Sequence, residues 1–269
     1  MSAKPVLPAY SMNRKDFPRM YETALVASLF RPWGELLLDR AQLKPGNSVL
    51  DVACGTGIVA RLARERLKGT GKVVGVDVSG PMLAVAREMG PGIEWLEGDA
   101  AALPVARDER FDWVFCQQGI QFFGDRSAAA RELERVTAPD GALLAAVWCG
   151  TETMPVFEAL QRVAERHVGA IHDQRYAFGD GQALKRLLAG AGFSRVEVDE
   201  VSQVSRFPAG DFVGMNAMAL VGMSGARLQG EEQERVLELI RVESMDAVRP
   251  FLEGDTLVCE LRSNIAVAR

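Results

Sequence analysis

Apolar positions change period along the chain, and the changes mark out its elements. Between Tyr21 and Leu43 the residues Leu25, Leu29, Trp33, Leu36 and Leu37 recur at three- and four-residue spacings, a helical stripe with an interruption expected at Pro32. From Ser48 onward the stripe gives way to short apolar runs alternating with helical stretches. Segments 49–53, 72–76, 93–96, 111–116 and 142–148 read as strands, and 58–67, 81–89 and 126–136 as the helices between them. Alternation of this kind with short connections predicts an α/β fold, a mostly parallel sheet covered by helices on both faces. Segment 138–141, with Pro139-Asp140-Gly141, reads as a turn. The second half is less regular: helices are expected over 155–167, 181–191, 211–221 and 231–248, a long strand over 195–206 and a terminal strand over 256–267.

Composition narrows the function. A chain of 269 residues that is 48% hydrophobic can bury a full core, and one compact unit is expected. Its formal charge of -5 argues against a protein that holds phosphate backbones, so nucleic acid is not an expected partner. Cys54, Cys116, Cys149 and Cys259 form no C-x-x-C pair, so no zinc or redox site is expected and the thiols read as buried in a reducing compartment. The first twenty residues lack the apolar run of a secretory signal, and no stretch approaches the roughly 20 apolar residues of a membrane span. A cytoplasmic protein is expected, with a small-molecule partner and a homodimer as an open alternative to the monomer.

The candidate chemistry lies where strands end. Val49-Leu50-Asp51-Val52-Ala53-Cys54-Gly55-Thr56-Gly57 is an apolar strand running into a glycine turn and then a helix. Glycines there let the backbone approach a ligand, and Gly55-x-Gly57-x-x-Ala60 with Asp77 satisfies the spacing of a dinucleotide fingerprint. Asp51 decides against a pyrophosphate, because like charges a few ångströms apart repel strongly where water is scarce. A phosphate-free cation such as S-adenosylmethionine suits it. Asp77 ends the second strand, where its two oxygens suit the ribose hydroxyls. Ser79-Gly80-Pro81 reads as a helix start, and Met82 faces either ligand or core. Asp99 is placed to accept from the adenine amine, with Ala100 leaving room for the ring. Three acids at successive strand ends occupy the carboxyl edge at which open sheets bind ligands.

These stretches, with 111–115, Arg131-Glu132-Leu133-Glu134-Arg135-Val136 and Pro139-Asp140-Gly141, resemble the class I S-adenosylmethionine-dependent methyltransferases. Within that class they are similar to the group that includes ubiquinone and menaquinone biosynthesis methyltransferases. The resemblance covers roughly 48–148, and Ala53 stands where many members carry glycine. It implies a Rossmann-like seven-stranded sheet whose last pair contains an antiparallel strand. It also implies a helical cap over 1–44, a cofactor-binding core over 45–150 and substrate-facing helical insertions over 151–269. Cofactor contacts are implied for Tyr21, Asp51, Ala53, Gly55, Gly57, Asp77, Val78, Met82, Asp99, Ala100 and Gln117, with Gln118 near the methionine moiety and S-adenosylhomocysteine as product. Gln121 and Phe122, with Phe123, face the substrate or the core.

Methyl transfer is an in-line displacement governed by positioning, and a base helps when the acceptor is a hydroxyl. His167 is the first candidate base, and His172 is the only other histidine. Tyr21 either shapes the methyl environment or packs. Phe212, Met215, Met218 and Met223 suggest a hydrophobic acceptor, although such a stripe also describes a core. The expected function is methylation of a small organic molecule at O, N or C. The rivals are an NAD(P)-dependent oxidoreductase built on the Gly55-x-Gly57 turn and a non-catalytic cofactor-binding module, which would show no acceptor cavity.

Overall fold

A computed structural model describes residues 17–269. The first sixteen residues of the expected cap lie outside the described residues. The helical run opens with α1 (Phe17–Tyr21), passes through a π-helical segment (Glu22–Phe30) and continues as α2 (Arg31–Ala41). Pro32 does not interrupt it. The proline falls in the first turn of α2, where its missing N–H costs little, and the helix changes winding rather than breaking.

Five parallel strands follow: β1 (Val49–Val52), β2 (Val73–Asp77), β3 (Glu94–Glu97), β4 (Phe111–Gln117) and β5 (Thr137–Trp148). Then come β6 (Val196–Pro208), the two-residue β7 (Leu252–Glu253) and β8 (Thr256–Ala268), giving the order β3-β2-β1-β4-β5-β8-β6 with β7 on β8. β8 runs antiparallel to both β5 and β6. The sheet is thus the mostly parallel α/β type expected, with seven strands in its main path and β7 as an addition.

The segment read as a turn, 138–141, lies inside β5. Phe111 pairs with Thr137 and Trp113 with Ala142, so extra residues bulge from the ladder between these points. Gly141 is required there, since a Cβ would sit 2.7 Å from the Asp112 carbonyl oxygen. The turn chemistry is real, but it shapes a bulge instead of ending the strand.

Period-two alternation sends strand residues into two cores, which explains why the strands read as continuous apolar runs. Val49, Val73, Phe115 and Leu144 face one layer with α2, α3 (Ile58–Arg66), α4 (Gly80–Met89), α6 (Pro155–Val168) and α8 (Ala209–Met223). Leu50, Val74, Val114 and Leu143 face the other with α5 (Arg126–Val136) and α7 (Gly181–Ala191). The first core joins Val26 to Ile265, so the N-terminal helices and the last strand share one interior. The final helix, α9 (Gly230–Ala247), packs on α6 and α8. Among the described residues, no helix is long and apolar enough to cross a membrane.

Candidate active site

The carboxyl ends of β1 to β4 form one edge, and the turn after β1 is its most constrained point. Ala53, Gly55 and Gly57 all have positive φ, at 57°, 57° and 84°. For Ala53 a left-handed backbone costs about 1–2 kcal/mol, which accounts for glycine being common at this place. Gln118, past the end of β4, is also left-handed at φ 54°. Ala53 and Gln118, two of the four described non-glycine residues with positive φ, therefore both lie along this edge.

Two carboxylates hold the turn. Asp51 is buried, and its Oδ2 accepts from the Ala60 N–H at 3.0 Å, in the first turn of α3. This supplies the cap that Gly57 at the helix start cannot. Asp77 links the loops after β1 and β2: its Oδ2 accepts from Gly55 N–H and its Oδ1 from Ser79 N–H, both at 2.8 Å. Burial pushes the Asp51 carboxyl up to about 8, against the lowering effect of the Ala60 N–H, and the nearby Asp77 charge raises it further. Burial also raises Asp77 from the ordinary carboxylate value, opposed by the backbone N–H groups around it.

Ser79 caps α4, its hydroxyl accepting from Met82 N–H at 3.4 Å, and Val78 and Met82 are half-buried beside it. Asp99 lies two residues past β3, with Oδ1 accepting from Ala101 N–H at 2.9 Å, next to the buried Ala100. Gln117 ends β4. Its Nε2 donates to the Phe30 carbonyl at 2.9 Å, while its buried Oε1 has no partner among the described residues.

The glycines divide into two kinds. Among the described residues, a Cβ on Gly55 would meet only the Tyr21 hydroxyl, at 3.9 Å, so none of them crowds this position along the edge. Gly57 differs from the expectation that its missing side chain leaves room for a ligand. The Trp95 ring fills that room: a Cβ would lie 2.2 Å from it at Gly57 and 2.3 Å from it at Gly75. Trp95 Nε1 donates to the Gly90 carbonyl at 3.1 Å, which fixes the ring beneath the turn. Nothing local in the sequence announces this role, because the glycines that admit Trp95 come from three separate loops and strands.

The edge fits a cationic nucleoside. Gln117 Oε1 is a buried acceptor with no partner among the described residues, and Asp77 retains lone pairs for hydroxyl donors.

Beside it lies a cavity of about 80 Å³, lined by aromatic and aliphatic side chains from the N-terminal run, α6, α8, the end of β5 and the middle of β8. Phe17, Tyr21, Phe30, Trp148, Phe157 and Phe212 supply its rings. Tyr21 stacks on Phe30 with centroids 4.8 Å apart. Two contacts join the cavity to the cofactor edge, the Tyr21 hydroxyl near Gly55 and the Phe30 carbonyl on Gln117. Phe212 and Met215 of the apolar stripe line it, and Met218 and Met223 do not.

Other expected residues stand elsewhere. His167 occupies the last turn of α6 and pairs with Glu243 of α9, Nε2 to Oε1 at 2.9 Å. Phe157 of the same helix lines the cavity, and ten residues of α-helix place His167 about 15 Å further along the axis. His172 is exposed. Gln121 is buried, donating to Gln118 Oε1 at 3.4 Å, while Phe122 is half-buried in the same short turn. Neither lines the cavity. Arg175, Tyr176 and Asn216 do, and no spacing in the sequence singled them out.

Comparison with known proteins fits this geometry. The family described as a methyltransferase domain matches residues 49–141. The 2-phytyl-1,4-naphtoquinone methyltransferase of Thermosynechococcus vestitus is 34% identical over 185 residues, 63% of this chain and 82% of that protein. The malonyl-[acyl-carrier protein] O-methyltransferase of Serratia marcescens is 37% identical over 145 residues, 54% of this chain and 55% of that protein. In fold, the chain matches Haemonchus contortus phosphoethanolamine N-methyltransferase 2, solved with phosphomonomethylethanolamine and S-adenosylhomocysteine. That match has TM-score 0.60 and 18% identity, covering 100% of this chain and 60% of that one. The oxidoreductase alternative has no support here. The chain belongs to the class I S-adenosylmethionine-dependent methyltransferases, in the group that includes the ubiquinone and menaquinone biosynthesis enzymes.

Proposed function

We propose that this enzyme methylates an apolar, ring-bearing small molecule seated in the aromatic cavity beside Gly55. The observation that carries this reading is the adjacency of cavity and cofactor edge through Tyr21 and Phe30. An acceptor cavity is also what separates an enzyme from a module that only holds the cofactor. The quinone named for the Thermosynechococcus relative is an acceptor of the same chemical kind.

S-Adenosylmethionine supplies a methyl group on a cationic sulfur. The chain's own residues supply position and environment. Asp77 accepts from the ribose hydroxyls while its bonds to Gly55 and Ser79 keep its two flanking loops in register. Gln117 Oε1 accepts from the ammonium group. Asp99 and Ala100 border the adenine, and Met82 and Val78 pack along the nucleoside. Asp51, protonated in the ligand-free chain at neutral pH, gives up its proton as the cationic cofactor binds and then provides negative charge beneath the turn. The rings of Tyr21, Phe30 and Trp148 exclude water from the acceptor side, and holding the reacting atoms in line supplies on the order of 7–11 kcal/mol in favourable models. Among the described residues, no side chain lining the cavity is a histidine or a carboxylate, which favours an acceptor that needs no strong protein base. Buried free thiols agree with a cytoplasmic setting.

The test is incubation with methyl-labelled cofactor and a panel of apolar ring compounds beside polar amines, nucleic acid and peptides, read by mass spectrometry. Label is expected in the apolar compounds. Label confined to the polar acceptors removes the reading.

A further inference from the structure

We propose that Gln121 selects a methyl acceptor carrying a hydroxyl or N–H donor, with Gln118 and Ser263 as its positioning residues; this rests on the aromatic cavity being the acceptor site. Ser263 Oγ donates to the Val147 carbonyl at 2.9 Å, and Gln118 Nε2 donates to Ser263 Oγ at 3.1 Å. Gln121 Nε2 in turn donates to Gln118 Oε1 at 3.4 Å. At the far end, Gln121 Oε1 is buried and has no partner among the described residues. Gln121 is 3% exposed, Gln118 6% and Ser263 fully buried, so bulk water does not complete the chain.

The direction of these bonds decides the class of ligand. A carbonyl can only accept, so the Ser263 hydroxyl hydrogen is spent on Val147 and the Ser263 oxygen is left to accept. Gln118 then presents its NH2 group to Ser263 and its oxygen to Gln121, and Gln121 presents its own NH2 group to Gln118. The open end is therefore an acceptor. It gains a bond only from an O–H or N–H, whereas an ether or carbonyl oxygen placed against it gains none.

Its neighbours place this end between cofactor and cavity. Ser263 pairs in register with Trp148, whose ring lines the cavity, and stands two residues from Leu261, which lines it too. On the other side, a Cβ on Gly119 would lie 2.6 Å from the Ala53 Cβ, so the segment that carries Gln118 and Gln121 rests against the cofactor turn. The segment is held there. Arg126 donates from Nε to the Ile120 carbonyl at 3.1 Å and from Nη2 to the Gln121 carbonyl at 2.8 Å, with its guanidinium 4.8 Å from the Phe178 ring centroid. Gln121 thus stands off the apolar wall, toward the cofactor turn, where it meets the polar end of an acceptor rather than its ring.

The experiment uses the full chain loaded with S-adenosylhomocysteine and three probes of one shape, phenol, aniline and toluene, titrated by ligand-observed NMR. A site with no acceptor waiting would favour toluene over phenol about tenfold or more, the cost of burying an unbonded hydroxyl. The wild type is expected to bind phenol or aniline within about threefold of toluene or more tightly, and the tighter of the two names the donor as O–H or N–H. Gln121→Met should lower that probe's affinity relative to toluene about fivefold, the scale of one neutral hydrogen bond, with S-adenosylhomocysteine affinity held within about twofold. Ser263→Ala, which leaves the Gln118 amide free to turn, should lower the same ratio about twofold, a change of selectivity that lost stability alone does not produce. A wild-type preference for toluene beyond about threefold, or a ratio unchanged in Gln121→Met, overturns the role of Gln121 and leaves the cavity as the acceptor site. An unchanged ratio with S-adenosylhomocysteine weakened about tenfold gives the open end to the cofactor and overturns it equally. Should the variants fail to fold, the wild-type ratio alone decides. Binding of none of the probes removes the acceptor site itself, and the role of Gln121 with it.

Discussion

At the cofactor edge, Asp51, Asp77 and Asp99 each accept from a backbone N–H in the loop or helix start that follows their own strand. In the acceptor cavity, the lining comes from residues as distant in sequence as Tyr21, Arg175, Phe212 and Leu261, brought together only by packing. The first region is built from local bonds and the second from long-range contacts. Local bonds need a particular residue at a particular offset, so that region has a motif. Packing needs only volume and apolarity, so the cavity is free to change its ligand while the edge keeps one.

The largest effect that sharpens this contrast is at Gly57. Gly57→Ala should destabilise the fold by about 2–5 kcal/mol in urea denaturation, combining overpacking against Trp95 with a left-handed backbone. Trp95→Leu in the same chain should recover part of that loss, and strict additivity would show that the ring is not the obstacle. Next comes Asp77→Ala, expected to weaken S-adenosylhomocysteine binding by about 1.5–3 kcal/mol in calorimetry through loss of charge-assisted hydrogen bonds. Unchanged affinity would detach Asp77 from the ribose.

The pH effect is smaller. With Asp51 raised to about 8, the ligand-free folded chain carries this carboxyl protonated at neutral pH. Its contribution to stability is therefore full below the unfolded value near 3.8 and lost as pH rises through about 8. A cationic cofactor favours the carboxylate, so binding should release a proton. Affinity should climb by up to about tenfold per pH unit on the acid side and level off above the folded value. Asp51→Asn should flatten the profile, and a flat wild-type profile would place the cation away from Asp51. The smallest expected change is Ala53→Gly, which removes the left-handed penalty at the entropic cost of glycine and should stabilise the fold by up to about 1 kcal/mol.

The legible part of the molecule follows the same division. Strand and helix positions through β5 were readable because alternating burial in two cores leaves continuous apolar runs between short loops. The acids were readable because strand ends fix their spacing. Pro139-Asp140-Gly141 misled, since residues that favour a turn also suit a bulge within β5. Pro32 misled because a helix tolerates proline in its first turn, and the π-helical segment before it has no period that marks it. Trp95 was silent, its partners Gly57, Gly75 and Gly90 being separated in sequence. His167 drew attention by rarity, yet its neighbour in space is Glu243, and spacing along a chain carries no information about a partner on another helix. Arg175 was invisible for the opposite reason, as one arginine among many until Asp173 and Asn216 are seen to hold it.

The most direct measurement is a crystal structure with S-adenosylhomocysteine bound. The ribose hydroxyls are expected on Asp77, the amino group at Gln117 Oε1, and the sulfur opening toward the cavity beside Tyr21. A ligand whose sulfur points away from that cavity, or whose ribose lies off the β2 end, would contradict the joined cofactor edge and acceptor site.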